Sequence, residues 1–189
     1  MNVIGVSGLP GSGKNIISKI AKKRSINVLK MGDIVRQVAE KRDEDSGKTA
    51  VDLRKEHGEY VLAKLIIEKI KTQSNSNKNS ENSNKSNTGE FFVIEGIRSQ
   101  YEIELFRKNF KNFKLISVFS SPKTRFNRLK DRQREDDSQD YGDFLKRDQR
   151  ELNFGIGNVI ASSDFIIINE DGLDEYKMQI NNFFDNLKL

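Results

Sequence analysis

Apolar residues along the chain gather in short dense runs, and the spacing between them alternates between two kinds. "NVIGVS" at 2–7 is a compact apolar run, and residues 13–24, "GKNIISKIAKKR", then carry apolar positions at helical spacing. The same alternation recurs. "INVLK" at 26–30 predicts a second strand, and "IVRQVAEKR" after Asp33 predicts a helix. Residues 43–49 read as a loop and 50–71 as a helix. "FFVIEGI" at 91–97 has a buried-strand pattern, 99–110 a helical one, and "KLISVFS" at 114–120 is a further strand. Helices are expected over 123–134, 141–152 and 173–187, with a last strand in "DFIIIN" at 164–169. Five strands interleaved with helices predict an α/β domain built on a parallel sheet.

One stretch breaks the pattern. Residues 72–90, "TQSNSNKNSENSNKSNTGE", are almost entirely Ser, Asn, Lys and other polar types, too poor in apolar surface to offset the entropy of ordering. A disordered surface insertion is expected there. The remainder of the 189 residues is the length of one domain with a real core, so 1–189 reads as a single domain.

Composition narrows the chemistry. Cys is absent, which removes disulfides, thiolate metal sites and Cys nucleophiles, and one histidine, His57, cannot build a multi-His centre. His57, in "LRKEHGEY", reads as a helix-end residue. No run approaches the roughly 18 apolar residues of a membrane span, and Met1 leads directly into a strand, so no membrane partner and a cytoplasmic location are expected. A net charge of +5 favours an anionic partner, with polyphosphate and nucleic acid both fitting.

The strongest chemical signal is "GLPGSGKN" at 8–15, set between a strand and a helix. Gly8, Leu9, Pro10, Gly11, Ser12, Gly13, Lys14 and Asn15 nearly match the phosphate-cradling pattern G-x-x-x-x-G-K-[ST], and predict an ATP site. Inward-pointing backbone N–H groups and the positive end of the following helix form an anion cradle, and Lys14 adds a point charge for the outer phosphates. Asn15 departs from the pattern, standing where a Ser or Thr hydroxyl would hold Mg²⁺. No hydroxyl follows until Ser18.

With "MGDIVR" at 31–36, "EGIR" at 95–98, "RLKDR" at 128–132 and "REDD" at 134–137, the loop resembles adenylate kinase and related nucleoside monophosphate kinases. "SPKTRF", "FGIG" and the Asn after the last strand are similar to the archaeal adenylate-kinase-related P-loop proteins. The resemblance covers the chain apart from 72–90. It implies a three-layer P-loop NTPase fold, nucleoside-monophosphate-kinase-like, with an acceptor-binding region at 31–71 and a short helical lid at 134–152. It also implies ATP and Mg²⁺ as cofactors, the metal held largely by phosphates and water. Asn169 is similar to a residue near the base.

Phosphoryl transfer demands two phosphate-bearing substrates in line, with their charge neutralised and water excluded. Arginines from separate segments suit this, because the planar fork grips phosphate at two points. The resemblance assigns Arg36 to the acceptor phosphate. Arg98 lies just past a strand's carboxyl end, where ligands collect in open α/β sheets, and joins it. Arg128 and Arg132, four apart on one helix face, are implied to reach the adenine and donor phosphates, and with Lys14 and Arg134 they form the expected catalytic set. A solvated basic helix is the competing reading of that segment. Arg147 and Arg150 are both candidates to turn inward from the lid. Asp33 and Glu95 are expected to hold waters of Mg²⁺, with an ordinary helix N-cap as the alternative for Asp33.

The expected function is transfer of the terminal phosphoryl group of ATP to a nucleoside monophosphate or similar small phosphorylated acceptor. Two alternatives stand beside it. One is phosphorylation of a hydroxyl, as in dephospho-coenzyme A kinase, with Asp33 or Glu95 as base. The other is an ATP-binding switch or weak ATPase acting on RNA or in ribosome assembly.

Overall fold

The computed structural model describes residues 1–78, 90–132 and 139–187. Five strands form one sheet: β1 (Asn2–Ser7), β2 (Asn27–Lys30), β3 (Phe91–Ile97), β4 (Asn112–Phe119) and β5 (Phe165–Ile168). Their order is β2-β3-β1-β4-β5, and every neighbouring pair is parallel. The expected α/β class and five-stranded parallel sheet are what the structure shows.

Strand alternation sorts the core into two layers. In β1, Val3 faces one layer, while Ile4 and Val6 face the other; in β3, Phe92 and Ile94 oppose Val93. One layer packs α1 (Lys14–Lys23) and α9 (Leu173–Asn186) through Ile17, Ala21, Tyr176, Ile180 and Phe184. The opposite layer packs α2 (Met31–Arg42), α3 (Ser46–His57), α4 (Val61–Lys78), α5 (Gln100–Asn109) and α8 (Ile156–Ala161). Gly5 is fixed by this packing, since a Cβ there would lie 2.5 Å from Ile97 and 2.7 Å from the Phe113 ring.

Several boundaries differ from the sequence reading. The single helix expected over 50–71 is two, α3 and α4, broken at Gly58, whose φ of +83° an L side chain rarely adopts. The loop expected over 43–49 already contains the start of α3, because Asp45 caps Lys48 N at 2.9 Å. α4 runs through Lys78, so 72–78, expected to belong to the disordered insertion, are helical. Ser74 is buried there and donates to the Glu90 carboxylate, a tertiary contact that polarity alone does not reveal. Residues 79–89, the rest of the expected insertion, lie outside the described residues. "FGIG" is a helix start: Gly155, at φ +92°, is the N-cap of α8. Among the described residues, no helix is long and apolar enough to cross a membrane.

Candidate active site

β1 is the central strand, and the chain leaves its carboxyl end to cross toward β2 while β4 lies on its other side. This is the reversal point at which open α/β sheets bind ligands. Residues 8–13 form the turn here. Gly8, Gly11 and Gly13 have φ of +139°, +81° and +99°, the left-handed region that only glycine enters without strain. The turn is also held by contact. A Cβ on Gly11 would lie 2.6 Å from the Arg125 carbonyl oxygen, and one on Gly13 would lie 2.4 Å from Asn169 Nδ2.

Three side chains brace the loop from outside. Asn169 Nδ2 donates to Ser12 O at 2.8 Å, and the Tyr176 hydroxyl donates to Gly13 O at 3.1 Å. Arg125, on α6 (Pro122–Arg132), reaches Pro10 O at 3.3 Å. Burial pushes the Tyr176 phenol well above its ordinary range, so it stays a neutral donor.

Lys14 opens α1, and its ammonium folds back to donate to the carbonyls of Gly8 and, at 3.0 Å, Leu9. Its pKa falls to about 8, chiefly through burial, with Arg98 and Arg147 lowering it further and Glu95 and Glu151 opposing. An incoming polyphosphate would supply the anion that this lysine lacks.

A cavity of about 510 Å³ opens over the loop. Its wall includes Gly11, Gly13, Lys14, Asn15, Arg128, Arg132 and Asn169, together with Glu95, Arg98 and Arg147. Arg128 is fixed by Asn169, donating to its backbone oxygen at 3.0 Å and its side-chain oxygen at 3.3 Å. Arg132 lines the same wall. Arg134 lies outside the described residues, as does 134–138 of the expected lid; the remainder of that segment is α7 (Tyr141–Asn153).

Glu95 stands on the α1 side of β3 and accepts a hydrogen bond from Ser18, with Lys30 Nζ 3.6 Å away. The first hydroxyl after Lys14 is therefore spent on a carboxylate. Among the described residues, no three metal-ligating side chains converge. Glu95 and Asn15, both in the wall, could serve as partners for the waters of a Mg²⁺ carried by phosphates. Asp33 is placed differently. It pairs with Arg36 on an exposed face of α2 and is in neither cavity wall.

A second cavity, of about 460 Å³, adjoins the first, and the two share Gly32, Arg36, Arg98 and Arg147. It extends to the start of α3 at Asp45–Gly47 and to Lys146, Arg150 and Glu151 of α7. Both candidate lid arginines thus face it, and Arg147 faces both cavities. Arg98 is aimed by carboxylates at each end: Glu151 accepts from its guanidinium at 3.0 Å, and Glu102 from its backbone N–H at 2.7 Å. Glu102 also completes a capping box with Ser99 and takes Arg54 at 2.9 Å. His57 sits at the exposed end of α3, paired with Glu56 and away from both cavities.

The residues missed in sequence are the carboxylate partners. Arg125 appeared as one cation in a basic run, yet it is buried and bound at two points to Asp148. The available signal was Asp148 itself, a lone carboxylate between Arg147 and Arg150. Nothing local marked Glu151 or Tyr176.

Loop, sheet order and flanking helices together define a P-loop kinase-like α/β protein. Residues 4–152 match a family profile described as an AAA domain. The chain belongs to the UPF0200 family. It is 51% identical to the UPF0200 protein of Methanothermobacter thermautotrophicus, over 95% of this chain and 87% of that one. It is 41% identical to the relative in Pyrococcus furiosus, over 93% of this chain and 91% of that one. In fold it is similar to shikimate kinase from Bacteroides thetaiotaomicron, with a TM-score of 0.60 over 100% of this chain and 99% of that one, at 14% identity.

Proposed function

We propose that the protein is an ATP-dependent phosphotransferase that moves the terminal phosphoryl group onto a small phosphorylated acceptor, a nucleoside monophosphate being the simplest case. The observation that carries this reading is the junction of the two cavities at Arg36, Arg98 and Arg147. A nucleotide switch needs one phosphate site; a second cationic cavity opening onto the first is what an acceptor requires.

ATP would lie with its phosphates over Gly8–Lys14 and its base toward Leu129, Leu173 and Asn169. Glu95 and Asn15 in the wall would hold waters of Mg²⁺, which would supply positive charge against that developing in transfer. Lys14 would leave its two carbonyls for the phosphates, and Arg128 and Arg132 would flank them. Arg98 and Arg147 stand between donor and acceptor, suited to the charge shared in the transition state. An anionic acceptor oxygen needs no general base. A hydroxyl acceptor would need one, and Glu95 in the wall supports that second reading.

The test is ADP formation with ATP, Mg²⁺ and a panel of monophosphates and dephospho-coenzyme A. Arg98→Ala and Arg36→Ala are expected to raise acceptor KM, and Lys14→Ala to abolish ATP binding. ATP binding with no acceptor turned over, together with salt-sensitive RNA binding, would overturn the reading in favour of a switch.

A further inference from the structure

The two cavities differ in what they offer a ligand. The ATP-side wall contains Ile16, Leu129, Leu173 and Tyr176, apolar surface against which a base can lie. Among the described residues, the second wall has no aromatic ring, and Val35 is its one sizeable apolar side chain. A nucleobase placed there would exchange water for charged groups and gain no stacking surface.

Its charges fall into two sets. Arg36, Arg98 and Arg147 stand at the junction with the ATP side. Lys146 and Arg150, four apart on α7, project from the other part of the wall. Among the described residues, the carboxylates of this wall have partners: Glu151 pairs with Arg98, Asp143 with Lys146 at 2.8 Å, and Asp45 accepts from Lys48 N. The Arg150 guanidinium, on a half-buried residue, has no ion pair with any of them. It packs instead on Gly47, where a Cβ would lie 2.2 Å from its Nη1. A half-buried guanidinium without a carboxylate partner is open to an anion, and the lack of a side chain at Gly47 leaves room for it there.

Resting on the phosphotransfer reading, and narrowing its acceptor away from nucleoside monophosphates, we infer that the acceptor is a compact polyanion without a nucleobase. Its reacting phosphate lies among Arg36, Arg98 and Arg147, and a second anionic group, phosphate or carboxylate, lies against Arg150 and Lys146. In the transfer, an oxygen of the reacting phosphate forms a bond to the γ-phosphorus of ATP. The bond from that phosphorus to the β–γ bridging oxygen breaks, and ADP leaves with the electron pair. The products are ADP and a diphosphorylated acceptor, with the distal anion unchanged.

The experiment measures ADP release by the full chain with ATP and Mg²⁺, using 3-phosphoglycerate and fructose 1,6-bisphosphate as dianionic probes. Ribose 5-phosphate is the probe without a distal anion, and AMP and CMP are the nucleoside probes. Either dianionic probe should exceed the other three in kcat/KM, and the better one identifies carboxylate or phosphate as the distal group. Arg150→Gln should raise KM for the preferred dianionic probe roughly tenfold or more, the loss expected of a charge-assisted contact, and raise KM for ribose 5-phosphate by a much smaller factor. Arg150→Lys should recover part of this. Gly47→Ala should reproduce it, since the new methyl displaces only the end of a flexible side chain. AMP or CMP as the best acceptor, or a dianionic KM indifferent to Arg150→Gln, overturns the inference and leaves the phosphotransfer reading standing. ADP formation with none of the five, while ATP still binds, overturns both.

Discussion

Arg125 grips Asp148 at two points, Nη1 to Oδ1 at 2.7 Å and Nη2 to Oδ2 at 2.5 Å, while the same Nη1 reaches Pro10 O at 3.3 Å. One side chain thereby joins the phosphate loop to α7, the helix that carries Arg147 and Arg150. The guanidinium also lies over the Phe144 ring at 5.1 Å, and its Nε donates to Ser120 O at 3.1 Å. With side-chain exposures of 2% and 12%, the pair is shielded well enough that losing one partner strands the other.

Arg125→Ala should therefore destabilise the protein by about 3–5 kcal/mol, read by denaturant unfolding. Asp148→Asn should cost less because it keeps shape and one acceptor. Replacing the two together, Arg125→Met with Asp148→Leu, should recover much of the loss. If Arg125→Ala is as stable as the wild type, the connection between loop and α7 is incidental.

Nucleotide affinity should fall as pH rises through about 8, the depressed pKa of Lys14. Above that value the free protein presents a neutral amine, and binding polyphosphate requires a proton. The loss approaches about tenfold per pH unit, with proton uptake visible by calorimetry in buffers of different ionisation enthalpy. Glu95→Gln should move the break to lower pH, since that carboxylate holds the pKa up. The same lysine affects stability in the opposite direction. Its folded pKa lies below the ordinary 10.5, so between about 8 and 10.5 the unfolded chain binds more protons. Its contribution to stability is thus least below about 8 and rises with pH across that interval.

Gly155→Ala and Gly11→Ala separate conformation from contact. Both glycines have positive φ, but nothing lies within 4 Å of a Cβ at Gly155, whereas one at Gly11 meets the Arg125 backbone oxygen at 2.6 Å. Gly155→Ala should cost about 1–2 kcal/mol in thermal unfolding, the penalty of the left-handed region alone. Gly11→Ala should cost more and abolish ATP binding, because backbone on both sides must shift.

At the start of α5, Ser99→Ala should lose about 1 kcal/mol, the ordinary value of an N-cap. Glu102→Ala should lose about 3–5 kcal/mol, since it strands the buried Arg54 as well as opening the cap. It should also raise acceptor KM by releasing the backbone of Arg98. Equal unfolding free energies for the two variants would show that the Arg54 contact adds nothing.

What the sequence determined by itself is what local periodicity and local chemistry encode. Runs such as "VIGV" and "FFVIEGI" specify strands because buried parallel strands are apolar on both faces. The loop at 8–15 is legible because its glycines are required by backbone angles within the loop. Arg98 was legible as lying past a strand end, which parallel topology gathers on one edge, whereas Arg36 was singled out by the resemblance alone. Only tertiary structure decided which charges meet. Arg125 with Asp148, Arg98 with Glu151 and Ser18 with Glu95 join residues from 23 to 77 positions apart, and no local pattern distinguishes these side chains from solvated ones. The surroundings of Asn15 are likewise visible only in three dimensions. The nearest downstream hydroxyl, Ser18, turns to Glu95, and Asn15 and Glu95 line the same cavity. The pairing of charges depends on which helices the sheet brings together, and that order, β2-β3-β1-β4-β5, is a property of the whole fold.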